Sequence, residues 1–140
     1  HTRDIDRYGG VINKMPLFTA FAVFFAMANA GLPGTSGFVG EFLVILASAQ
    51  SNFWIAFLAS LTLLVGAAYS LWMIKRVFYG EVTNKLVDNL KDIGLRETVV
   101  LGSLACLVIV VGVYPAIISD ITNVTADQFI QSMSFSKVIK

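Results

Sequence analysis

The sequence predicts an all-α integral membrane protein with three transmembrane crossings, the first of them a discontinuous helix broken near residues 31–37. Three observations carry that expectation. Apolar side chains make up 56% of the 140 residues and charged ones 14%, against roughly 45–50% and about 25% in soluble domains, and the mean hydropathy is +0.76. No charged residue occurs from Met15 to Gly40, from Phe42 to Ile74 or from Thr98 to Ser119, and each run exceeds the ~20 residues that a spanning helix needs. Finally, the first run is interrupted by "GLPGTSGFVGEF", Gly31 to Phe42, which places a proline, four glycines and a glutamate where a membrane helix should be continuous.

Taken in order, residues 1–16 are polar and charged and form a loop on the cytoplasmic side. No basic start followed by a short apolar core marks them as a signal peptide. The chain opens with His1 rather than Met, and three helices bury little of each other, so it reads as the C-terminal part of a longer protein. Residues 17–50 hold the interrupted helix. Its halves, Leu17 to Leu32 and Phe38 to Gln50, extend about 24 and 20 Å at ~1.5 Å per residue, and neither alone crosses a ~30 Å hydrocarbon core comfortably. Two short spans, a re-entrant hairpin and one interrupted crossing are the alternatives.

Charge separates them. With one crossing, Arg3, Arg7, Lys14, Lys75, Arg76, Lys85, Lys91 and Arg96 share one side of the membrane and only Lys137 and Lys140 lie on the other. Two spans or a hairpin would split the basic residues evenly. The positive-inside rule favours the uneven split, with the basic side facing the cytoplasm or its mitochondrial equivalent.

Residues 53–75 are the second crossing, anchored by Trp54 and Trp72 near its ends and by Lys75 and Arg76 just beyond. Residues 76–97 return as a cytoplasmic-side loop in which Leu86, Leu90 and Ile93 recur at helical spacing, as in a short amphipathic helix. Residues 98–118 are the third crossing, closed by Tyr114 and Pro115, and 119–140 form an outer-side tail. Gly66 with Ser70, and Gly102 with Cys106, are small residues four apart that suit helix packing.

The break has a chemical consequence. Pro33 lacks a backbone donor and Gly31, Gly34, Gly37 and Gly40 favour departure from the helix. Backbone groups freed there cannot face lipid, so the break must face protein or a water-filled cavity. Thr35 or Ser36 is positioned to cap the second half. Glu41 falls roughly 14 Å from the far surface at ~1.5 Å per residue, near the middle of the core, where an ionisable side chain is a functional candidate by default. The bland alternative is a permanent ion pair with a lysine on another helix. A phosphate cradle is excluded because no lysine follows the glycines. Nucleophilic catalysis by Ser36 lacks a base, and one His with one Cys cannot make a self-contained transition-metal site. No basic tract suggests nucleic acid.

"HTRDIDRYGG", then Met15-Pro16, "GLPGTSGFVGEF", "RVFYGEV" and a later "LRE" together resemble the antiporter-like membrane subunits of NADH:quinone oxidoreductase, in particular the subunit M and NADH dehydrogenase subunit 4 family. "GLPGTSGFVGEF" is the most specific part, and the tail after Ser119 adds little. The resemblance implies a proton-pumping subunit of an enzyme complex, a translocase with more than a dozen helices in full, of which this is the C-terminal portion. Glu41 would be the intramembrane proton carrier, with Gly31, Pro33, Gly34, Thr35 and Ser36 forming the helix break and lining the path. No NADH, flavin, iron–sulfur or quinone site is expected in this chain, hence no cofactor and no metal. The implied partners are the other membrane subunits of the respiratory complex and the lipid bilayer. The implied location is the bacterial inner membrane, with the mitochondrial inner membrane as second choice. Membrane subunits of multi-subunit sodium/proton antiporters or of membrane-bound hydrogenases share this architecture and are the alternative, together with a chiefly structural assembly segment.

Overall fold

Each stretch between turns settles into helix, and the order of the elements follows the hydropathy. The computed structural model describes residues 5, 8–82, 85–123 and 128, with backbone alone at 85 and 86. After a 3₁₀ turn at Val11–Asn13 come α1 (Pro16–Asn29), α2 (Ser36–Ser51), α3 (Phe53–Val77), α4 (Lys85–Asp88) and α5 (Leu95–Val113). No strand occurs among the described residues. Two of these helices, α3 and α5, are long and apolar enough to cross a membrane; α1 and α2 are shorter apolar helices.

The helix limits differ from the hydropathy runs for local reasons. Pro16 stands at the first helical position of α1, where its missing N–H costs nothing. At the start of α5, Arg96 and Glu97 lie inside the first turn. The Glu97 carboxylate accepts from the Gly94 N–H at 2.7 Å, so α5 begins at Leu95, upstream of the apolar run. It stops at Val113 because Pro115 cannot supply an N–H and disfavours helical backbone in the residue before it; helical turns resume over 116–123. The loop helix is shorter than the leucine spacing suggests. Only 85–88 is helical, Asn89 turns the chain, Leu90 is exposed, and the buried side chain is Val87 at 1% exposure. The Leu86 side chain, the first seven residues apart from Ile5, and the tail beyond 123 apart from Gln128 lie outside the described residues.

Helix directions can be read from contacts. Asn52 joins α2 to α3 in a tight turn, its side-chain oxygen accepting from the Trp54 N–H at 2.9 Å. Phe18 at the start of α1 packs at a tilt against Phe78 just past α3, with ring centroids 6.0 Å apart. Gly40, Glu41 and Val44 of α2 share a cleft with Ala59, Thr62 and Gly66 of α3. Therefore α1 and α2 lie one after the other along α3, both antiparallel to it. Phe18 shares a groove with Val100 and Leu101, and Gly34 and Thr35 touch Gly112, so α5 runs parallel to α1 as far as the break.

The end of the bundle that carries the 78–94 loop is closed by a small core. Val11, Ile74, Phe78 and Val87 are buried together, with Met15, Phe18, Ala22 and Val82 packed on them. The Gly10 and Ile12 N–H groups donate to the Tyr79 and Phe78 carbonyls at 3.2 and 3.0 Å. Asn13 Nδ2 donates to the Gly80 carbonyl at 3.2 Å, and Lys14 Nζ lies 2.6 Å from Asp88 Oδ1. The amino end of α1 is capped from a distance: the Leu17 and Phe18 N–H groups donate to the Asp92 carboxylate at 2.9 and 3.1 Å. Partial loss of hydration works against the charged carboxyl, but three backbone N–H donors outweigh it and hold Asp92 below its ordinary value of 3.8.

Away from this end the helices leave most of their apolar surface uncovered. Among the described residues α5 has no buried side chain and α3 has three, Ala56, Ser70 and Ile74. Such faces are suited to lipid or to further helices, not to water.

Candidate functional site

The break between α1 and α2 is a built turn. The Leu32 N–H donates to the Met27 carbonyl at 3.1 Å and the Gly31 N–H to the Ala28 carbonyl at 3.3 Å, the paired bonds of a Schellman ending. Gly31 takes the left-handed conformation this requires, with φ 78°, which side chains with a Cβ adopt only at a cost of roughly 1–2 kcal/mol. Thr35 occupies the cap position of α2 in an extended conformation but does not cap it. Its hydroxyl turns back and donates to the Leu32 carbonyl at 2.7 Å, and the residue is 2% exposed. The Met27, Ala28 and Leu32 carbonyls thus find partners inside the turn, and the amino end of α2 has no side-chain cap.

Glu41 leaves α2 and folds back onto this turn. A Cβ built on Gly31 would lie 2.6 Å from Glu41 Oε2, with Leu63 Cδ2 of α3 at 3.8 Å from the same point. The carboxylate therefore rests against the bare face of Gly31. Its Oε2 is buried and has no hydrogen-bond partner among the described residues. An unpartnered carboxylate oxygen is costly in apolar surroundings.

Beside it opens a cleft of about 850 Å³ between α2 and α3. Asn29, Ser36, Glu41, Thr62 and Tyr69 supply its polar atoms, and Val44, Ile45 and Leu63 are among its apolar walls.

The residues singled out in the sequence separate into groups. Gly31, Ser36 and Glu41 converge at the cleft and the turn beneath it. Thr35 is committed to the Leu32 carbonyl, Pro33 is exposed on the bend, and Gly34 presents its carbonyl to Gly112 of α5. Hydropathy and motif reading missed the α3 wall, Thr62 and Tyr69, because each sits singly in an apolar run. They also missed Gly112. Its only signal was its place one turn before the proline that ends α5. Gly37, a break glycine in the sequence, has a second use: a Cβ there would run into the Ala28 carbonyl oxygen, so its bareness allows α1 and α2 to meet closely.

The family described as "NADH:quinone oxidoreductase/Mrp antiporter, TM" matches residues 1–66. NADH-quinone oxidoreductase subunit M of Rhodobacter capsulatus is 40% identical over 132 residues, 94% of this chain and 26% of that protein. NADH-ubiquinone oxidoreductase chain 4 of Marchantia polymorpha is 37% identical over 134 residues, 96% of this chain and 27% of its own length. A chain in the solved structure of respiratory complex I from Thermus thermophilus with bound NADH superposes with a TM-score of 0.72 at 34% identity, covering 83% of this chain and 24% of that one. The chain thus spans about a quarter of the length of the relatives it matches. It belongs to the NADH-quinone oxidoreductase subunit M and chain 4 family of antiporter-like membrane subunits, and corresponds to a region of the larger subunit.

Proposed function

We propose that this chain acts in proton translocation across an energy-transducing membrane, as part of an antiporter-like subunit of respiratory NADH:quinone oxidoreductase, with Glu41 as the intramembrane proton carrier. The observation that carries the reading is the Glu41 carboxylate itself, with one oxygen buried and unpartnered at a helix break beside a partly polar cleft. A carboxylate so placed can accept a proton, lose its charge and release the proton when its surroundings change, and a break is where polar groups and water can reach mid-membrane depth. The redox chemistry that drives the cycle belongs to other subunits of the complex, and no cofactor is assigned to this chain. The comparisons name complex I subunits, which favours this assignment over a free-standing sodium/proton antiporter or a hydrogenase subunit.

The same reading supplies the topology. Because α1 and α2 follow one another along α3, they are taken as two halves of one crossing, with α3 and α5 as the other two. The loop end, which carries Lys14, Lys75, Arg76, Lys91 and Arg96, faces the cytoplasm or matrix. The uncovered apolar faces of α3 and α5 meet lipid and the neighbouring membrane subunits. The bacterial inner membrane is the proposed location.

The test is Glu41→Gln and Glu41→Asp in the full-length subunit within the assembled complex, with NADH oxidation and proton pumping read in inverted vesicles. Carrier function predicts normal assembly, loss of both activities together in Glu41→Gln, and partial recovery in Glu41→Asp. Wild-type pumping in Glu41→Gln would make the carboxylate structural.

A further inference from the structure

We infer that α5 fixes the position of the Glu41 carboxylate, and that Gly112 is the positioning residue through which it does so. The proposal rests on the proton-carrier reading only for its functional consequence; the geometry stands by itself. A Cβ built on Gly112 would lie 2.5 Å from both Thr35 Cα and its carbonyl carbon, and closer still to the Gly34 carbonyl oxygen. Every one of these atoms is backbone, so none can swing aside as a side-chain tip would. The turn between α1 and α2 is seated directly on the bare face of α5.

Two links carry that seating to the carboxylate. The turn is internally stiff, closed by the Leu32 N–H to Met27 and Thr35 hydroxyl to Leu32 bonds, so pressure at Gly34 and Thr35 moves Gly31 with it. Gly31 in turn is in contact with Glu41 Oε2. At its other end α5 is preceded by Asp92, whose carboxylate holds the first turn of α1. α5 and the residues leading into it therefore grip α1 at both ends. The intervening contact is looser: a Cβ on Gly102 would meet only the Phe21 ring, at 4.0 Å.

The experiment compares Gly112→Ala, Gly102→Ala and Asp92→Ala in the full-length subunit of the assembled complex. Readouts are proton pumping, the pH profile of NADH oxidation, and the rate at which a hydrophobic carbodiimide labels Glu41, followed by mass spectrometry. The labelling rate reports the setting of the carboxylate whether or not it carries protons, so a failure of the carrier reading in Glu41→Gln leaves this test intact. Gly112→Ala is expected to assemble, to lose pumping by about tenfold or more, as ångström-scale misplacement does, and to change both the pH profile and the labelling rate. Gly102→Ala should match wild type in all three. Wild-type labelling and pH profile in an assembled Gly112→Ala complex would overturn the proposal. If Gly112→Ala does not assemble, the half-buried Asp92→Ala decides: an altered labelling rate supports the two-ended grip, and an unaltered one refutes it.

Discussion

The two ends of α1 are built on opposite principles. At its amino end, Asp92, Lys14, Asn13 and the Gly10 and Ile12 N–H groups all have partners, and a core of Val11, Ile74, Phe78 and Val87 sits beneath them. At its carboxy end the Met27, Ala28 and Leu32 carbonyls have partners within the turn, but the amino end of α2 has no side-chain cap and a Glu41 carboxylate oxygen is buried with no partner among the described residues. The difference teaches that the break is not a loosely made region. Its path is fixed by the bonds from Gly31, Leu32 and Thr35, and one carboxylate oxygen beside it is left without a partner among the described residues, as expected if polar exchange centres on Glu41.

Four perturbations break or sharpen this contrast. The largest stability effect should come from Phe78→Ala, which empties the loop-end core; large aromatic truncations cost about 3 kcal/mol or more. The thermal midpoint of the assembled complex should fall, while pumping per remaining complex falls by less than in Gly31→Ala. If pumping per complex collapses, the two ends are not separable. Gly31→Ala should show the reverse pattern. It introduces roughly 1–2 kcal/mol of left-handed strain, and its Cβ would displace Glu41 Oε2, so pumping should fall by more than the loss of assembled complex explains.

Asp92→Asn should have a smaller effect that depends on pH. The carboxyl is held below its ordinary 3.8 in the folded protein. Its contribution is therefore complete above that value and is lost as the pH falls through the lower, folded-state value. The variant should be less stable than wild type at neutral pH, with the gap closing in acid, as followed by thermal disassembly across a pH series. A gap that widens in acid would contradict the capping role. The smallest effect should be that of Lys14→Ala. Its ion pair with Asp88 is exposed, with side chains 37% and 60% accessible, and such pairs contribute about 0.5 kcal/mol, less at high salt. A loss several times larger would mean that Lys14 acts beyond this pair.

Much of the molecule was legible in the sequence, and particular residues show why. Hydropathy placed α3 and α5 because uninterrupted apolar runs leave few alternatives to helix. The glycines and Pro33 announced a turn where it occurs, and the depth of Glu41 singled out the carboxylate. The loop helix was read as longer than it is because Leu90 and Ile93 keep helical spacing, while Asp92 between them is drawn to α1, 75 residues away in sequence. Thr35 has the residue type and position of a cap, yet its hydroxyl goes back to the preceding turn, a choice set by the path of the chain after Gly34.

The sequence by itself determined which segments are apolar helices, where the first run must break and which carboxylate lies at the break, since these depend on composition, local backbone preference and length. Only the tertiary structure decided that Gly31 lies under Glu41, that Gly112 seats the turn and that Asp92 caps α1. Those relations join residues far apart in the chain, and they depend on close approaches between backbones that a single glycine or aspartate in an apolar or polar run does not disclose.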